Sequence, residues 1–228
     1  MAASLALLAT LPRAGATTIS GSFTADNALF VYISTNDAVL GTLVASGNNW
    51  GDVFSFSNLP LTLGQNYYIQ VEAINYGGPG AFIGQLSLSG TGFTFANGSS
   101  TLLTGEPGWS GGYNDSNSNV TQQPWVEPAG STVSFGLNGI SPWNTQPGLS
   151  TDAAWIWPGD ANSLPGSDNV NGTCGYCTVD FSAEVIDGPV QPAPEPATCG
   201  LVAVGLICLG AIEWRRRRWS RSDTAAAG

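Results

Sequence analysis

The chain has no histidine and no lysine, and its six basic residues are arginines near the two ends: Arg13, Arg215, Arg216, Arg217, Arg218 and Arg221. Between Arg13 and Arg215 no positively charged side chain occurs, yet every acidic residue except Asp223 lies in that stretch. Without imidazole, no His-based zinc site, Ser-His-Asp triad or Cys-His dyad can be assembled from this chain alone. Without Lys or Arg, the body repels nucleic acid and anionic lipid, and offers no cationic partner to a nucleotide or phosphorylated substrate. Nucleic-acid binding and phosphoryl transfer are therefore excluded. Charge of either sign is scarce, at 10% of the 228 residues, against roughly 25% in soluble domains generally.

What is present is 30 Gly, 14 Pro and much Ser, Thr and Asn, together with 43% hydrophobic and 10% aromatic residues. A disordered tract would lack those aromatic and β-branched side chains. The body, residues 17–190, reads as short strands separated by turn residues: 28–34, 53–59, 66–74, 81–89, 131–137, 153–157 and 176–186. Tyr68, Gln70 and Glu72 alternate with Ile69, Val71 and Ala73, the period of an antiparallel strand with one apolar and one polar face. No segment before residue 197 carries a helical period. The expected fold is all-β, an antiparallel jelly-roll-like sandwich.

The ends carry targeting signals. An apolar stretch from Ala2 to Leu11 precedes Ala14-Gly15-Ala16, which reads as a signal peptide over residues 1–16 cleaved after Ala16. It lacks a basic start, which leaves open a true start farther upstream. At the other end, Ala197 to Ile212 are uncharged. As a helix they span about 24 Å, short of the ~30 Å hydrocarbon core, and Trp214 extends the expected transmembrane helix to 197–214. The arginines beyond it set the cytoplasmic side and leave the body outside. Residues 222–228 form the cytoplasmic tail.

Pro194-Glu195-Pro196, an apolar helix and Arg215–Arg218, in that order, resemble a PEP-CTERM sorting signal, here spanning residues 191–221. The resemblance implies a Gram-negative bacterium that makes an exopolysaccharide, and recognition by exosortase, a membrane-embedded processing enzyme, at the Pro-Glu-Pro triplet. It also implies an inner-membrane stage before release to the cell surface or beyond. Glu213, between helix and arginines, departs from the pattern and puts the helix length in doubt. A second resemblance runs through the body. "FTADNALFVYIS", the loop of Trp50, "LTLGQNYYIQVEAINYGGPG" and the following "GQLSL" are similar to a galactose-binding-like jelly-roll module. That class contains both sugar binders and structural sandwiches.

Several motifs have two readings. Trp50, Trp109, Trp125 and Trp143 lie beside Gly, Asn or Pro in predicted loops, where indoles stack on sugar rings, but indoles also build sandwich cores. Trp155 and Trp157, two apart in a strand, are read as core on one face. Ser110 in "GWSGG" fits a nucleophile elbow but has no base, so this is read as a Gly-rich loop. Cys174 and Cys177 form a CxxC before a strand, read as a structural disulfide rather than a redox pair. Asp160 and Asp168, in a loop rich in Asn, are the candidate Ca²⁺ ligands, although Asx-turn chemistry explains that loop equally well. In "NYGGPGAF", Gly77, Gly78 and Gly80 tolerate positive φ beside Pro79, allowing a tight reversal.

Taken together, the sequence is read as a non-catalytic exported surface or matrix protein associated with exopolysaccharide. The alternatives are a carbohydrate-binding module and, third, a glycosidase that uses two of the many carboxylates.

Overall fold

Residues 17–115, 122–159 and 176–188 are described by the structure, a computed structural model. The signal peptide, the sorting signal with its helix, Cys174, Asp160 and Asp168 all lie outside these residues. Twelve strands run in order: β1 (Thr18–Asp26), β2 (Ala28–Ser34), β3 (Thr42–Gly47), β4 (Phe54–Pro60), β5 (Tyr67–Asn75), β6 (Ala81–Ser89), β7 (Phe93–Phe95), β8 (Thr101–Leu103), β9 (Trp109–Asp115), β10 (Thr132–Leu137), β11 (Ala154–Pro158) and β12 (Cys177–Asp187). The described residues are all-β, in two antiparallel sheets, and contain no helix capable of crossing a membrane.

The first sheet has the order β10-β11-β6-β1-β4, with β8 also paired to β6; the second has the order β3-β2-β5-β12-β7, with β9 also paired to β12. Apart from the consecutive pairs β2–β3 and β10–β11, neighbours in each sheet are not consecutive in sequence, because the chain crosses repeatedly between sheets. The inward side chains of both sheets meet in one core. Phe82 of β6 lies 5.0 Å from Phe181 of β12, ring centre to ring centre, and stacks at 5.9 Å on Phe23 of β1. These contacts join the two layers of a β-sandwich, and their alternation along the strands is the reason for the period of two in the sequence.

Every strand expected from the sequence is present, with bounds differing by at most a residue or so. Residues 108–112, expected to be a Gly-rich loop, instead run into β9, Trp109–Asp115, which pairs with β12 from Ala183 to Thr178. Its glycines suit a strand pressed against a neighbour: a Cβ on Gly111 would come within 3.2 Å of the Phe181 ring. The reversal after β5 behaves as expected at Gly77 and Gly78, with φ of 119° and 77°. Gly80 is different. A side chain there would meet Asn75 at 2.8 Å and Trp157 at 3.0 Å, so the constraint is space rather than φ.

Trp155 and Trp157 are fully buried, but in separate clusters. Phe82 and Ile156, paired across β6 and β11, face the main core. Their neighbours Ile83 and Trp155 therefore point to the outer side of the first sheet, into a smaller cluster with Trp143 and Leu149. Trp157 meets the Phe181 ring edge-on at 5.9 Å in the main core.

Candidate functional site

The alternation of β5 supplies the polar face that the sequence predicts, but that face is not solvated. Gln70 and Glu72 are 0% and 1% exposed, and Asp180 and Ser182 opposite them on β12 are 1% and 3% exposed. Register explains the grouping. Glu72 faces Asp180, Gln70 faces Ser182, and Tyr68 faces Glu184 across the β5–β12 pair. Tyr32 of β2 lies beside Gln70 on the same face. Val71, Phe181 and Val31, one residue out of phase, go to the core.

Two non-strand segments cover this face. The connection from β2 to β3 is held by Gln70, whose amide donates to the Asp37 carbonyl at 2.9 Å and accepts from the Gly41 N–H at 2.9 Å. The Asp37 carboxylate accepts the Ser182 hydroxyl at 2.7 Å. Burial raises the Asp37 pKa; the hydrogen bonds from Ser182 and Gln70 oppose that rise.

The second cover is a strap of residues 122–130, "QQPWVEPAG". Pro124 and Pro128 have no N–H and cannot join a ladder, so the strap adheres through other groups. The Gln123 N–H donates to Glu72, and the Val126 N–H donates to Asp180 Oδ2 at 3.0 Å. The Asn114 amide bridges Asp180 Oδ2 at 2.8 Å and the Pro124 carbonyl at 2.7 Å. Trp125 donates its indole N–H to the Asp37 carbonyl at 2.6 Å, and Gly130 exchanges two backbone hydrogen bonds with Gly111.

Two carboxylates thus lie side by side beneath the strap. The described residues contain no Lys, Arg or His to pair with them. Burial pushes Glu72 up to about 7, against the opposing Gln123 N–H. Burial, followed by the negative charge of Glu72, pushes Asp180 up to about 8, while the Val126 N–H and Asn114 act the other way. The Tyr32 phenol is pushed up to about 12, chiefly by burial and then by Glu72 and Asp180. Tyr32 Oη and Asp180 Oδ1 are both buried without a hydrogen-bond partner.

Beside the strap opens a cleft of about 450 Å³, lined among others by Asp37, Tyr68, Ser110, Glu127, Ser182 and Glu184. Glu184 Oε1 accepts from Asn66 at 2.8 Å and from the Tyr68 hydroxyl at 3.3 Å. The cleft presents oxygen acceptors, an aromatic ring and no cation. It accepts hydroxyl or ammonium donors and repels anions. Among the described residues, no group of three or more Asp, Glu, Cys or His is placed to hold a metal ion.

The four tryptophans proposed as a sugar platform do not share a surface. Trp143 is 2% exposed, stacked at 4.9 Å on Trp155, and its indole N–H donates to Asp26 Oδ2 at 2.9 Å. Trp109 is 7% exposed, edge-on to Phe82 at 5.4 Å, and donates to the Leu103 carbonyl. Both are core residues, correcting the expectation of loop platforms. The loop carrying Trp143 folds back over the first sheet, and Trp109 opens a strand. Trp50 is half-buried against the cluster of Trp143 and Trp155. Trp125, half-buried, belongs to the polar face of the second sheet, and Trp109, though largely buried, forms part of the lining of the cleft beside it.

Ser110 lines the cleft and donates to the Ser182 carbonyl at 3.4 Å. Cys177 is buried and disulfide-bonded; Cys199 and Cys208, like Cys174, lie outside the described residues. Of the residues that build the polar face, the sequence placed Gln70 and Glu72 on the polar side of a strand but read neither as a functional residue, and it did not single out Asp37, Asp180 or Glu184. The available signal was the matching alternation in "YIQVEA" and "TVDFSAE", two strands whose polar residues fall into phase when paired. Comparison with protein-family models, with curated proteins and with solved structures finds no match to this chain.

Proposed function

We propose that the chain is a non-catalytic exported surface or extracellular-matrix protein, sorted through the inner membrane by a PEP-CTERM signal read by exosortase, and associated with exopolysaccharide. The observation that carries this reading is the distribution of charge and hydropathy. A body without a single cation is followed by Pro194-Glu195-Pro196, an apolar segment and Arg215–Arg218. The fold is compatible with processing at both ends. β1 begins at Thr18, after the expected signal-peptide cleavage site, and β12 ends at Asp187, before the triplet, so both cuts leave every described strand intact. The finer assignment, a jelly roll of the galactose-binding-like class, belongs to this proposal and rests on the sequence resemblance. Mass spectrometry of the mature C-terminus from an exosortase-positive host tests the sorting step. Cleavage near Pro194–Pro196 is expected, and an intact chain ending at Gly228 refutes it.

A second reading, a carbohydrate-binding module, is favoured by the cleft. Tyr68 offers a ring face, and Asp37, Glu127 and Glu184 offer acceptors for sugar hydroxyls, the combination that a neutral glycan needs. Glycan-array binding by the mature chain that saturates and is lost on Glu127→Gln and Tyr68→Ala supports it. No binding to any neutral glycan eliminates it and leaves the structural role.

A further inference from the structure

We infer that Glu72 and Asp180 hold a proton between them and thereby form a latch that keeps the 122–130 strap on the sheet, and that the strap is released as the pair becomes fully ionised. The geometry has three parts. The two side chains face each other in register on adjacent strands. Each accepts one backbone N–H from the strap, from Gln123 and Val126 respectively. Among the described residues, Asp180 Oδ1 is buried without a hydrogen-bond partner, Glu72 acts on it as a like charge, and it acts in turn on the Tyr32 phenol.

A proton on Asp180 Oδ1 turns that orphaned acceptor into a donor on the side of the strand that faces Glu72 in register. The strap's own bonds, to Glu72 Oε1 and Asp180 Oδ2, are left in place. Loss of that proton strengthens the strap's N–H bonds but leaves two buried negative charges on adjacent strands, with no positive group among the described residues to offset them, and burial is the larger of the two effects.

Among the described residues, no titratable group around the pair carries a positive charge. β2 contributes Tyr32, β5 contributes Tyr68, and β12 contributes Glu184. The β2–β3 connection brings Asp37 and the strap brings Glu127. β9 contributes the neutral Asn114 and ends at Asp115, and the sequence from 116 to 121 has no ionisable side chain. Burial holds Glu72 up at about 7 and Asp180 up at about 8. Both are above ordinary carboxylate values, so strap closure is fully favoured below about pH 4 and is lost as pH rises through the range of about 7 to 8. Glu127, Pro128 and Ala129 of the strap wall the cleft. Its shape therefore follows the latch, a consequence that rests on the binding reading above, whereas the latch itself does not.

The test needs no ligand, so it stands or falls separately from glycan binding. Hydrogen exchange at the Gln123 and Val126 amides is followed in the full chain from about pH 5 to about pH 9 and corrected for intrinsic rates. Protection is expected to fall by up to about tenfold per pH unit for each proton released, and to level off above about pH 8. Glu72→Gln combined with Asp180→Asn should keep the amides protected throughout. Because that variant could misfold, infrared difference spectra of the unaltered chain provide an independent check. A protonated-carboxyl C=O band present near pH 6, weakened in Glu72→Gln and gone by about pH 9, is expected. Protection of these amides that does not change with pH, or absence of that band near pH 6, overturns the latch.

Discussion

Each sheet has its outer face covered by chain that forms no strand, and the two covers adhere by different chemistry. Over the first sheet, the segment after β10 lays Trp143 on Trp155, with Phe135 stacked at 6.1 Å on the other side. That segment is closed on itself by the Asn138 amide, which donates to the carbonyls of Gln146, Leu149 and Ser150. The nearby groove on this face is lined by Ser20, Ser22, Gln85, Ser87 and Thr101, with no ionisable group. Over the second sheet, the strap is held by carboxylates receiving N–H donors, and the adjacent cleft is lined by more carboxylates. The first cover is held chiefly by apolar area removed from water, which pH does not alter, with one titratable contact, the Trp143 indole on Asp26. The second is held chiefly by groups whose charge is conditional. The two covers of one sandwich therefore differ in how far pH reaches them.

The largest expected effect breaks the first cover. Trp143→Ala empties the indole stack and leaves Asp26 Oδ2, buried, without its donor. Denaturant unfolding should show a loss of about 3–5 kcal/mol. Exchange at Gln123 and Val126 relative to the rest of the body should be unchanged; a matching local loss there would mean that the two covers are coupled.

The next effect concerns the slope of stability with pH. Asp26, Asp37, Glu72 and Asp180 are all raised, with burial the largest cause at each. Raised acids give stability that is complete below the unfolded carboxylate range and is lost as pH climbs through their folded values. Thermal unfolding should therefore occur at progressively lower temperature from about pH 5 to about pH 8, by up to about 1.4 kcal/mol per pH unit per held proton. Glu72→Gln with Asp180→Asn should flatten this slope and be more stable than the parent near pH 8, whereas Trp143→Ala should keep most of it. A parent whose stability rises over that interval would contradict the assignment.

The smallest effect is Asn114→Ala, which removes the bridge between Asp180 and the Pro124 carbonyl. A loss of about 1–2 kcal/mol is expected, visible chiefly as faster exchange along the strap. An equal loss of protection across both sheets would show that the strap is not a separable unit.

The strands were legible wherever two signals coincided, as in "NYYIQVEAI", where alternation and β-branched residues agree with flanking Gly. β9 was not legible, because "WSGGYND" has the composition of a loop. Its glycines are explained by neighbours distant in the sequence: Thr132 and Phe181 against Gly111, and Pro128 against Gly112. The same distance hid the site. Glu72 and Asp180 each occur in a strand whose alternation is plain, but their adjacency follows from a register between β5 and β12 that local patterning does not encode. The tryptophans failed for a related reason. Neighbouring Gly, Asn and Pro mark Trp143 as a loop residue, which it is, but do not reveal that the loop is folded inward onto Trp155.

The place of β12 also bears on the order in which the molecule can be made. The strand occupies the middle of the second sheet, with β5 along one edge and β7 and β9 along the other, yet it is the last described strand in the sequence. While the chain emerges from its N-terminus, β5, β7 and β9 wait for a partner that has not yet been delivered. The main core lacks Val179, Phe181, Ala183 and Val185 until it arrives. A chain of this topology stays incompletely folded for nearly the whole length of its body and closes only when its last strand is free to slide into the gap.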